Sequence, residues 1–342
     1  MTINPTVGEL GERALIERIR ARVPPAPSWV VVGIGDDAAV VEPGRNTLDV
    51  VTTDALVEGV HFDRASAAPE AIGHKALAVS LSDLAAMGAL PRAALLSLGL
   101  PPAMPLDDVD RLLDGLLALA ARFRTTLVGG NITRSPGPLL VDVVAIGSVR
   151  RRRHLGRSGA RPGDALFVSG SLGAAVAGLA SCTRRSRQPE AGGATRQPAT
   201  ACEARFLRPE PRVRLGLLLG RGRIASACID LSDGLGEGLR QLAAASGVGL
   251  VVEAESVPVD EETRAWFGAA GVDPVDAACA GGEDYELLFT VPSRRLRAFE
   301  AIRGLVGGVA CARIGRVTAD PAIIWRRGGA DGSLPAGFAH FR

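Results

Sequence analysis

The sequence predicts a protein of two domains, one α/β and one α+β, and three observations support this. The chain has 342 residues, and single hydrophobic cores usually stop growing at ~250–300 residues. Strand-like and helix-like runs occur together in both halves. Glycine and proline concentrate in residues 156–163, where they indicate a connection between domains. We therefore expect a first domain over residues 1–149 and a second over residues 150–342.

The first half is predicted to contain short strands, two long helices and an amphipathic helix near the N-terminus. Strand 30–32 runs into a Gly-Asp-Asp turn, and strand 48–51 ends at Thr52, Thr53 and Asp54. Leu77, Leu81 and Leu84 form one apolar helical face. The predicted strands are 30–32, 48–51, 126–128 and 139–146, and the predicted helices are 8–23, 72–87 and 106–123.

The second half repeats this mixture of strands and helices. Strand 225–229 delivers Asp230, and Ser232 is predicted to cap a helix that begins near Gly234. Residues 182–202 are rich in Arg, Gln, Pro, Gly and Ser, so we expect a disordered insertion. The other predicted elements are strands 165–169, 287–291 and 322–325 and a helix from Ala174.

Composition limits the classes of partner. Hydrophobic residues make up 47% of the chain but aromatic residues only 4%, so aliphatic side chains must fill the cores. A net charge of +2 gives no basis for a nucleic-acid partner. The basic run at residues 150–153 lacks interleaved aromatic residues and is interpreted as a solvated strand end or linker.

Cysteine usage and the absence of targeting segments predict a cytoplasmic protein. The five cysteines are odd in number and never form a Cys-x-x-Cys pair, which favours free thiols in a reducing compartment. The N-terminus has no apolar signal core. No segment approaches the ~20 apolar residues that a membrane span needs, so we expect no membrane partner.

Acidic residues recur in short turns along the chain, and only one lysine, Lys75, accompanies them. Carboxylates that converge without ammonium groups either repel each other or share divalent cations. This pattern predicts a magnesium site that handles a polyphosphate. The residues concerned are Asp36, Asp37, Asp54, Asp83, Asp230 and Asp233.

Three of the four acidic sites also have a plainer explanation. Asp36 and Asp37 could form an ordinary Asx-turn, and Asp83 could lie on an exposed helix face. The run from Asp230 to Asp233 could be a capped helix start. Asp54 is the most specific of these sites, because Thr52, Thr53 and Asp54 could present their oxygens together to a hard cation.

Several familiar phosphate and hydrolase motifs are missing. The sequence lacks GxxxxGK[ST] and the protein-kinase motifs, so a nucleotide enzyme of this sequence would depend on magnesium and a few arginines, for which Arg134 and Arg157 are candidates. No hydrolytic triad is visible. His61 lies shortly after Asp54, where it either contacts a substrate or packs as a structural histidine.

Five motifs, taken in order, closely resemble those of the thiamine-monophosphate kinases, a family of the PurM-like ATP-binding superfamily. The similarity runs over about residues 8–341. It implies a PurM-like N-terminal domain whose sheet pairs with a second subunit, a PurM C-terminal-like domain, and ATP bound between the halves. The motifs are GIGDDA (33–38), TDALVEGVHF (53–62), HKALAVSLSDLAAMGA (74–89), IDLSDGL (229–235) and GGEDYEL (281–287).

The resemblance also implies an activity and roles for individual residues. The activity is magnesium-assisted transfer of the ATP γ-phosphoryl group to thiamine monophosphate in a homodimeric enzyme, with no general base because the acceptor is already ionised. Several magnesium ions are expected. The implied magnesium ligands are Asp37, Thr52, Thr53, Asp54, Asp83, Asp230 and Asp233; the nucleotide contacts are Gly130, Arg157 and Ser232; and the thiamine contacts are His61, Glu283 and Phe338.

One position departs from the family pattern Gly-Gly-Asp-Thr-Thr-Arg. Residues 129–134 are GGNITR, so Asn131 replaces an aspartate. An amide oxygen can still bind magnesium or contact ATP, but the site loses a full negative charge and should hold one ion more weakly.

Two other functions remain open from the sequence. One is an ATP-dependent synthase of the same superfamily that activates an amide or a selenide. The other, motivated by Asn131, is a nucleotide-binding homologue with weakened catalysis.

Overall fold

A four-stranded sheet and two long helices form the first half of the protein. The structure is a computed structural model that describes residues 5–187 and 200–335. The elements of this half are α1 (Val7–Leu10), α2 (Glu12–Arg22), β1 (Val30–Val32), β2 (Val40–Val41), β3 (Thr47–Val57), α3 (Pro69–Ala86), β4 (Leu90–Leu100), α4 (Leu106–Phe123), β5 (Thr126–Arg134) and β6 (Leu140–Arg150). The sheet has the order β3-β6-β4-β5, with β4 and β5 parallel and the other pairs antiparallel.

A seven-stranded sheet organises the second half, in the order β13-β12-β9-β11-β7-β10-β8. The pair β9–β12 is parallel and the others are antiparallel. Its elements are β7 (Ala165–Ser169), α5 (Ala174–Arg187), α6 (Ala201–Leu207), α7 (Val213–Arg221), β8 (Ala227–Asp230), α8 (Leu235–Ser246), β9 (Gly249–Glu253), α9 (Glu261–Ala269), α10 (Pro274–Ala280), β10 (Leu287–Val291), α11 (Leu296–Arg303), β11 (Cys311–Thr318), β12 (Ile323–Arg327) and β13 (Ala330–Gly332).

Helix α3 is the central element of the fold. Fifteen of its residues are buried, because it packs against α4, β3 and β6 on one side and α7 and β8 on the other. A single apolar cluster accordingly includes Leu77 and Leu81 of α3 together with Phe167 and Phe289 of the seven-stranded sheet. The two halves therefore share one core along this helix.

The four-stranded sheet has one covered and one open face. Along β6 the burial alternates residue by residue, as expected when only one face packs against helices. On β3 the residues of the open face are exposed, including Val51, whose exposure is 64%. Strand β3 is also an edge strand.

Most sequence-based elements are confirmed, and three predictions about the first half are wrong. The predicted helix at 8–23 is two helices, because Gly11 adopts φ = 78° between α1 and α2. Strand β3 extends from Thr47 to Val57 because it pairs with β6 along its whole length. Asp54 therefore lies within a strand and not at its end. Strand β5 likewise continues through Asn131 to Arg134.

Two predictions in the second half also need correction. Helix α5 includes residues 182–187 and α6 begins at Ala201, so both ends of the predicted insertion are helical. They are helical because Cys182 and Cys202 are buried in apolar clusters. The rest of that segment, 188–199, lies outside the described residues. Ser232 does not cap α8, whose N-cap residue is Gly234 at φ = 89°.

No helix among residues 5–187 and 200–335 is both long and apolar enough to cross a membrane.

Candidate active site

Carboxylates from both halves meet beside α3. Asp54 comes from β3, Asp83 from α3 and Asp230 from the end of β8. The Ser82 hydroxyl donates a hydrogen bond of 2.8 Å to Asp230 Oδ2, and the Thr52 hydroxyl donates one to Asp83. The hydroxyls of consecutive elements thus hold these carboxylates together.

The closeness of the three carboxylates affects how easily they ionise. Burial, then the charge of Asp83, raises the pKa of Asp54 to about 6. Burial, then the charges of Asp83 and Asp54, raises the pKa of Asp230 to about 7. The charge of Asp83 therefore opposes ionisation of Asp54 and Asp230, which is the situation that a bound cation relieves.

The carboxylates beside α3 suit a magnesium ion that is also bound by other ligands. Asp54 Oδ2 is buried and has no hydrogen-bond partner among the described residues. No three His, Cys, Asp or Glu side chains in residues 5–187 and 200–335 are close enough to hold an ion by themselves. Magnesium usually combines one or two carboxylates with water and substrate phosphates. An anionic ligand would therefore have to complete the coordination at this cluster.

A cavity of about 540 Å³ opens next to the carboxylates, and we refer to it as the junction cavity. Its polar lining residues are Asp54, His61, Ser232, Asp233 and Glu283. Apolar residues complete its wall and include Val60, which is 64% exposed. An apolar wall with a few convergent polar groups is typical of a site for a small organic molecule, and the volume lies within the usual range of ~300–1,000 Å³.

Two loops of the second half form one side of the junction cavity, and they lie very close together. A Cβ atom on Gly282 would lie 2.5 Å from the carbonyl oxygen of Ser232, so only glycine fits there. Glu283 N donates a hydrogen bond to that same oxygen. Glu283 and Tyr285 adopt φ values of 66° and 50°, which are unusual for residues other than glycine and which concentrate at functional sites.

Each anchored residue of the 283–286 loop has a different partner. Glu283 pairs with Lys75. The buried Asp284 carboxylate accepts hydrogen bonds from Gly173 N and Ala175 N at the start of α5. Glu286, also buried, pairs with Arg205 and Arg212. These contacts hold the loop in its unusual conformation.

A second cavity, of about 590 Å³, lies on the first half, and we refer to it as the N-terminal cavity. Asp37, Gly130 and Asn131 line it together with residues of α2. Asp36 lines it too, but its side chain accepts a hydrogen bond of 2.8 Å from Asp37 N, which is an ordinary turn contact.

Comparison with known proteins identifies the family. The N-terminal domain of AIR synthase related proteins matches residues 35–149, and the C-terminal domain matches residues 161–326. The thiamine-monophosphate kinase of Salmonella typhimurium is 40% identical over 316 residues, which cover 91% of each chain. This chain belongs to the thiamine-monophosphate kinase family.

Solved structures of thiamine-monophosphate kinases support the same conclusion. That from Stenotrophomonas maltophilia has a TM-score of 0.78 and 39% identity, covering 93% of this chain and 96% of its own. The structure of AaThiL complexed with AMPPCP and TMP has a TM-score of 0.75 and 34% identity, covering 99% of this chain and all of the other. The predicted resemblance and the two-domain PurM-like fold are confirmed.

The site residues inferred from the family motifs fall into two groups. One lines the junction cavity or the carboxylates beside it, and the other lines the N-terminal cavity. Arg157 belongs near the first group, because its charge lowers the pKa of Asp230 while its guanidinium donates to Gln241 on α8. Arg134, the other arginine considered, is exposed at the end of β5. Phe338 lies outside the described residues.

The expectation that Thr52, Thr53 and Asp54 present their side-chain oxygens together is wrong. The side chains of Thr52, Thr53 and Asp54 do not point together, because successive residues of a strand face opposite sides of the sheet. The Thr53 hydroxyl donates a hydrogen bond of 2.8 Å to Asp142 on the open face of the sheet.

Two residues with a clear part in the site were given no role by the sequence analysis, Ser82 and Lys75. Asp142 was also missed, but it lies on the open face of the sheet with Thr53, and its charge is the weakest contribution to the raised pKa of Asp54. A lone carboxylate in the apolar run of β6 could have indicated it. Ser82 and Lys75 stand in the same motif as Asp83, but their contacts join the two halves of the chain and leave no local pattern.

Proposed function

We propose that this chain transfers the γ-phosphoryl group of ATP directly to the phosphate of thiamine monophosphate, giving thiamine diphosphate and ADP. This reaction is the last step of thiamine diphosphate biosynthesis. The observation that carries the proposal is the junction cavity, where carboxylates that favour a cation stand beside a pocket for an organic group. Membership of the family supports the choice of substrate.

The two cavities suggest a division of the ligands. The thiamine moiety fits the junction cavity, against His61 and Glu283. Val57 N donates to His61 Nδ1, so the ring carries its proton on Nε2. ATP would use Gly130 and Asn131 in the N-terminal cavity. Ser232, which lines the junction cavity, and Arg157, which lies near Asp230, would contact its phosphates from the second half.

Magnesium fits the same arrangement. The residues that would hold magnesium ions are Thr52, Asp54, Asp83, Asp230 and Asp233 at the junction, and Asp37 and Asn131 in the N-terminal cavity. Magnesium bound there would neutralise phosphate charge and orient the two phosphate chains.

The chain itself needs to supply little acid–base chemistry. The acceptor is a phosphate oxygen that is already ionised at neutral pH, so no general base is required. The residues of the junction act by binding and orienting the acceptor, and their burial excludes water that would compete with it. The anchored 283–286 loop provides such a preformed wall.

The open sheet face supports a homodimer. Apolar side chains of neighbouring strands lie on it, including Val51, Val144 and Ile146, and an edge strand of eleven residues borders it. Open apolar faces of this kind are usually covered by a partner. Light scattering of the purified chain should give twice the monomer mass, and Val51→Lys should shift it toward the monomer.

The five free buried cysteines suit a reducing compartment, and we place the enzyme in the cytoplasm.

A direct assay tests the function. Wild-type protein, ATP and magnesium should convert thiamine monophosphate to thiamine diphosphate, measured by chromatography of the products. Unphosphorylated thiamine should give no product, because the proposed acceptor is a phosphate. ATP binding without product at saturating magnesium would contradict the proposal and favour a nucleotide-binding homologue.

A further inference from the structure

Lys75, the buried lysine of α3, has no assigned role in the proposed phosphoryl transfer. Its side chain is only 1% exposed. The ammonium nitrogen donates hydrogen bonds of 3.0 Å to Glu283 Oε2 and to the carbonyl oxygen of His61. It also lies 3.7 Å from the centre of the Phe206 ring. Two of these three partners belong to the junction cavity.

Stability does not explain this lysine. Burying an ammonium group is costly, and a well-packed apolar side chain often stabilises such a position equally well. Burial accordingly lowers the pKa of Lys75, and the charge of Glu283 opposes that effect. The position of the charge must therefore be explained by what the ammonium group holds in place.

Lys75 fixes one oxygen of Glu283 and leaves the other for a ligand. Oε2 accepts from the lysine, whereas Oε1 has no hydrogen-bond partner in the part of the chain that the structure describes. Glu283 lines the junction cavity from the left-handed backbone region. A carboxylate held on one side in this way has a defined orientation toward a bound molecule.

The same helix sets the distance between the two ends of the site. Ser82 lies seven residues after Lys75, on the same face of α3 and roughly 10 Å along its axis. Lys75 contacts Glu283 while Ser82 contacts Asp230, so α3 contacts both loops of the second half at a fixed separation. An acceptor with an organic end and a phosphate end requires such a separation.

We infer that Lys75 is a positioning residue that orients the Glu283 carboxylate and the main chain of His61 for binding of the acceptor's organic group. This inference rests on the proposed function, and it explains how the site binds the acceptor tightly. Lys75 acts through Glu283 and His61 and does not touch the phosphates.

Steady-state kinetics of Lys75→Met give the first test. The KM for thiamine monophosphate should rise ~10- to 100-fold, the size expected when a charged hydrogen bond loses its orientation. The KM for MgATP and kcat should stay within about threefold of wild type, because only acceptor binding is affected. An unchanged KM for the acceptor overturns the inference. If Lys75→Met does not fold, Lys75→Gln replaces it with the same expectation.

A double-mutant cycle tests whether Lys75 acts through Glu283. In a Glu283→Gln background, Lys75→Met should raise the acceptor KM by less than about threefold more, because the group it orients is already altered. Independent, multiplying effects of the two substitutions overturn the inference.

Arg111→Met is the matched control. Arg111 forms a two-bond ion pair with Glu70 of the same helix α3, and neither residue lines the junction cavity. This variant should lower the melting temperature and leave the acceptor KM close to wild type. If Lys75→Met and Arg111→Met change stability and acceptor KM alike, Lys75 is merely structural.

Hydrogen exchange decides the question without any substrate. Lys75→Met should speed amide exchange of both Val57 and Glu283, whose N–H groups bond to His61 and Ser232. The control variant Arg111→Met should leave exchange of both amides unchanged. Slow exchange of both amides in Lys75→Met overturns the inference. A wild-type protein that makes no thiamine diphosphate contradicts the proposed function alone, and the exchange result still decides the role of Lys75.

Discussion

The junction cavity and the N-terminal cavity have similar volumes, about 540 and 590 Å³, but hold their polar groups differently. In and beside the junction cavity, Asp230 and Glu283 have fixed partners on α3. In the N-terminal cavity, Asp37 and Asn131 are exposed and belong to one half of the chain. A preformed site can select the acceptor, whereas the exposed groups need a ligand to order them.

The largest expected effect is at Asp54. Asp54→Asn should lower kcat/KM on the order of 10³-fold, because it removes charge from the carboxylate cluster. The metal-free variant should nevertheless melt at a higher temperature at pH 8. The folded-state pKa of Asp54, raised to about 6 by burial and Asp83, means that the ionised side chain destabilises the fold.

Asp49→Asn is the control for this prediction. Asp49 lies on the same strand but on its exposed side, so its substitution should change neither activity nor melting temperature greatly. Loss of activity in Asp54→Asn together with a lower melting temperature would indicate a folding defect and contradict the electrostatic account.

A substitution at Asp37 tests the N-terminal cavity. Asp37→Asn should raise the KM for MgATP ~10- to 100-fold, because a carboxylate that contacts magnesium is lost. Asp36→Asn is the matched control, since its amide oxygen can still accept the hydrogen bond from Asp37 N. Equal effects of the two substitutions would contradict a specific role for Asp37.

Asn131→Asp should strengthen magnesium binding at the N-terminal cavity, because it adds a negative charge to the exposed polar groups there. The magnesium concentration at half-maximal activity should fall about three- to tenfold, because a carboxylate binds magnesium more strongly than an amide. A magnesium titration of the variant checks this. An unchanged titration curve would show that residue 131 is not a ligand.

The smallest expected effect is a pH-dependent thermal shift. The raised pKa values of Asp54 and Asp230, about 6 and about 7, make the metal-free fold lose stability as pH rises from ~4 to ~7. Magnesium binds the ionised carboxylates. It should therefore raise the melting temperature by a few degrees more at pH 8 than at pH 5.5. An equal shift at both pH values would place the ion away from these groups.

The sequence predicts elements well where the pattern is local. Helix α4 has the predicted bounds, residues 106–123, and β10 has those predicted for strand 287–291. The prediction for residues 52–54 failed, because β3 is lengthened by pairing with β6, which is distant in sequence. Strand alternation then directs Thr53 to the open face.

The sequence predicts which residue types form the site, but it predicts much less well which of these residues contact each other. The short acidic motifs indicate where charge concentrates, but no local pattern shows that Lys75 reaches Glu283, 208 residues away. The left-handed backbone conformations of Glu283 and Tyr285 are equally unpredictable from the sequence. Residues other than glycine usually avoid this region, and contacts with distant parts of the chain hold the loop there.

The burial of α3 on both sides has a consequence for how the chain can be divided. A fragment ending near residue 150 would expose the surface of this helix that now contacts α7 and β8. Such a fragment should aggregate or remain only partly folded, even though its sheet and both long helices are complete. During synthesis, α3 therefore cannot be fully buried until α7 and β8 have been made.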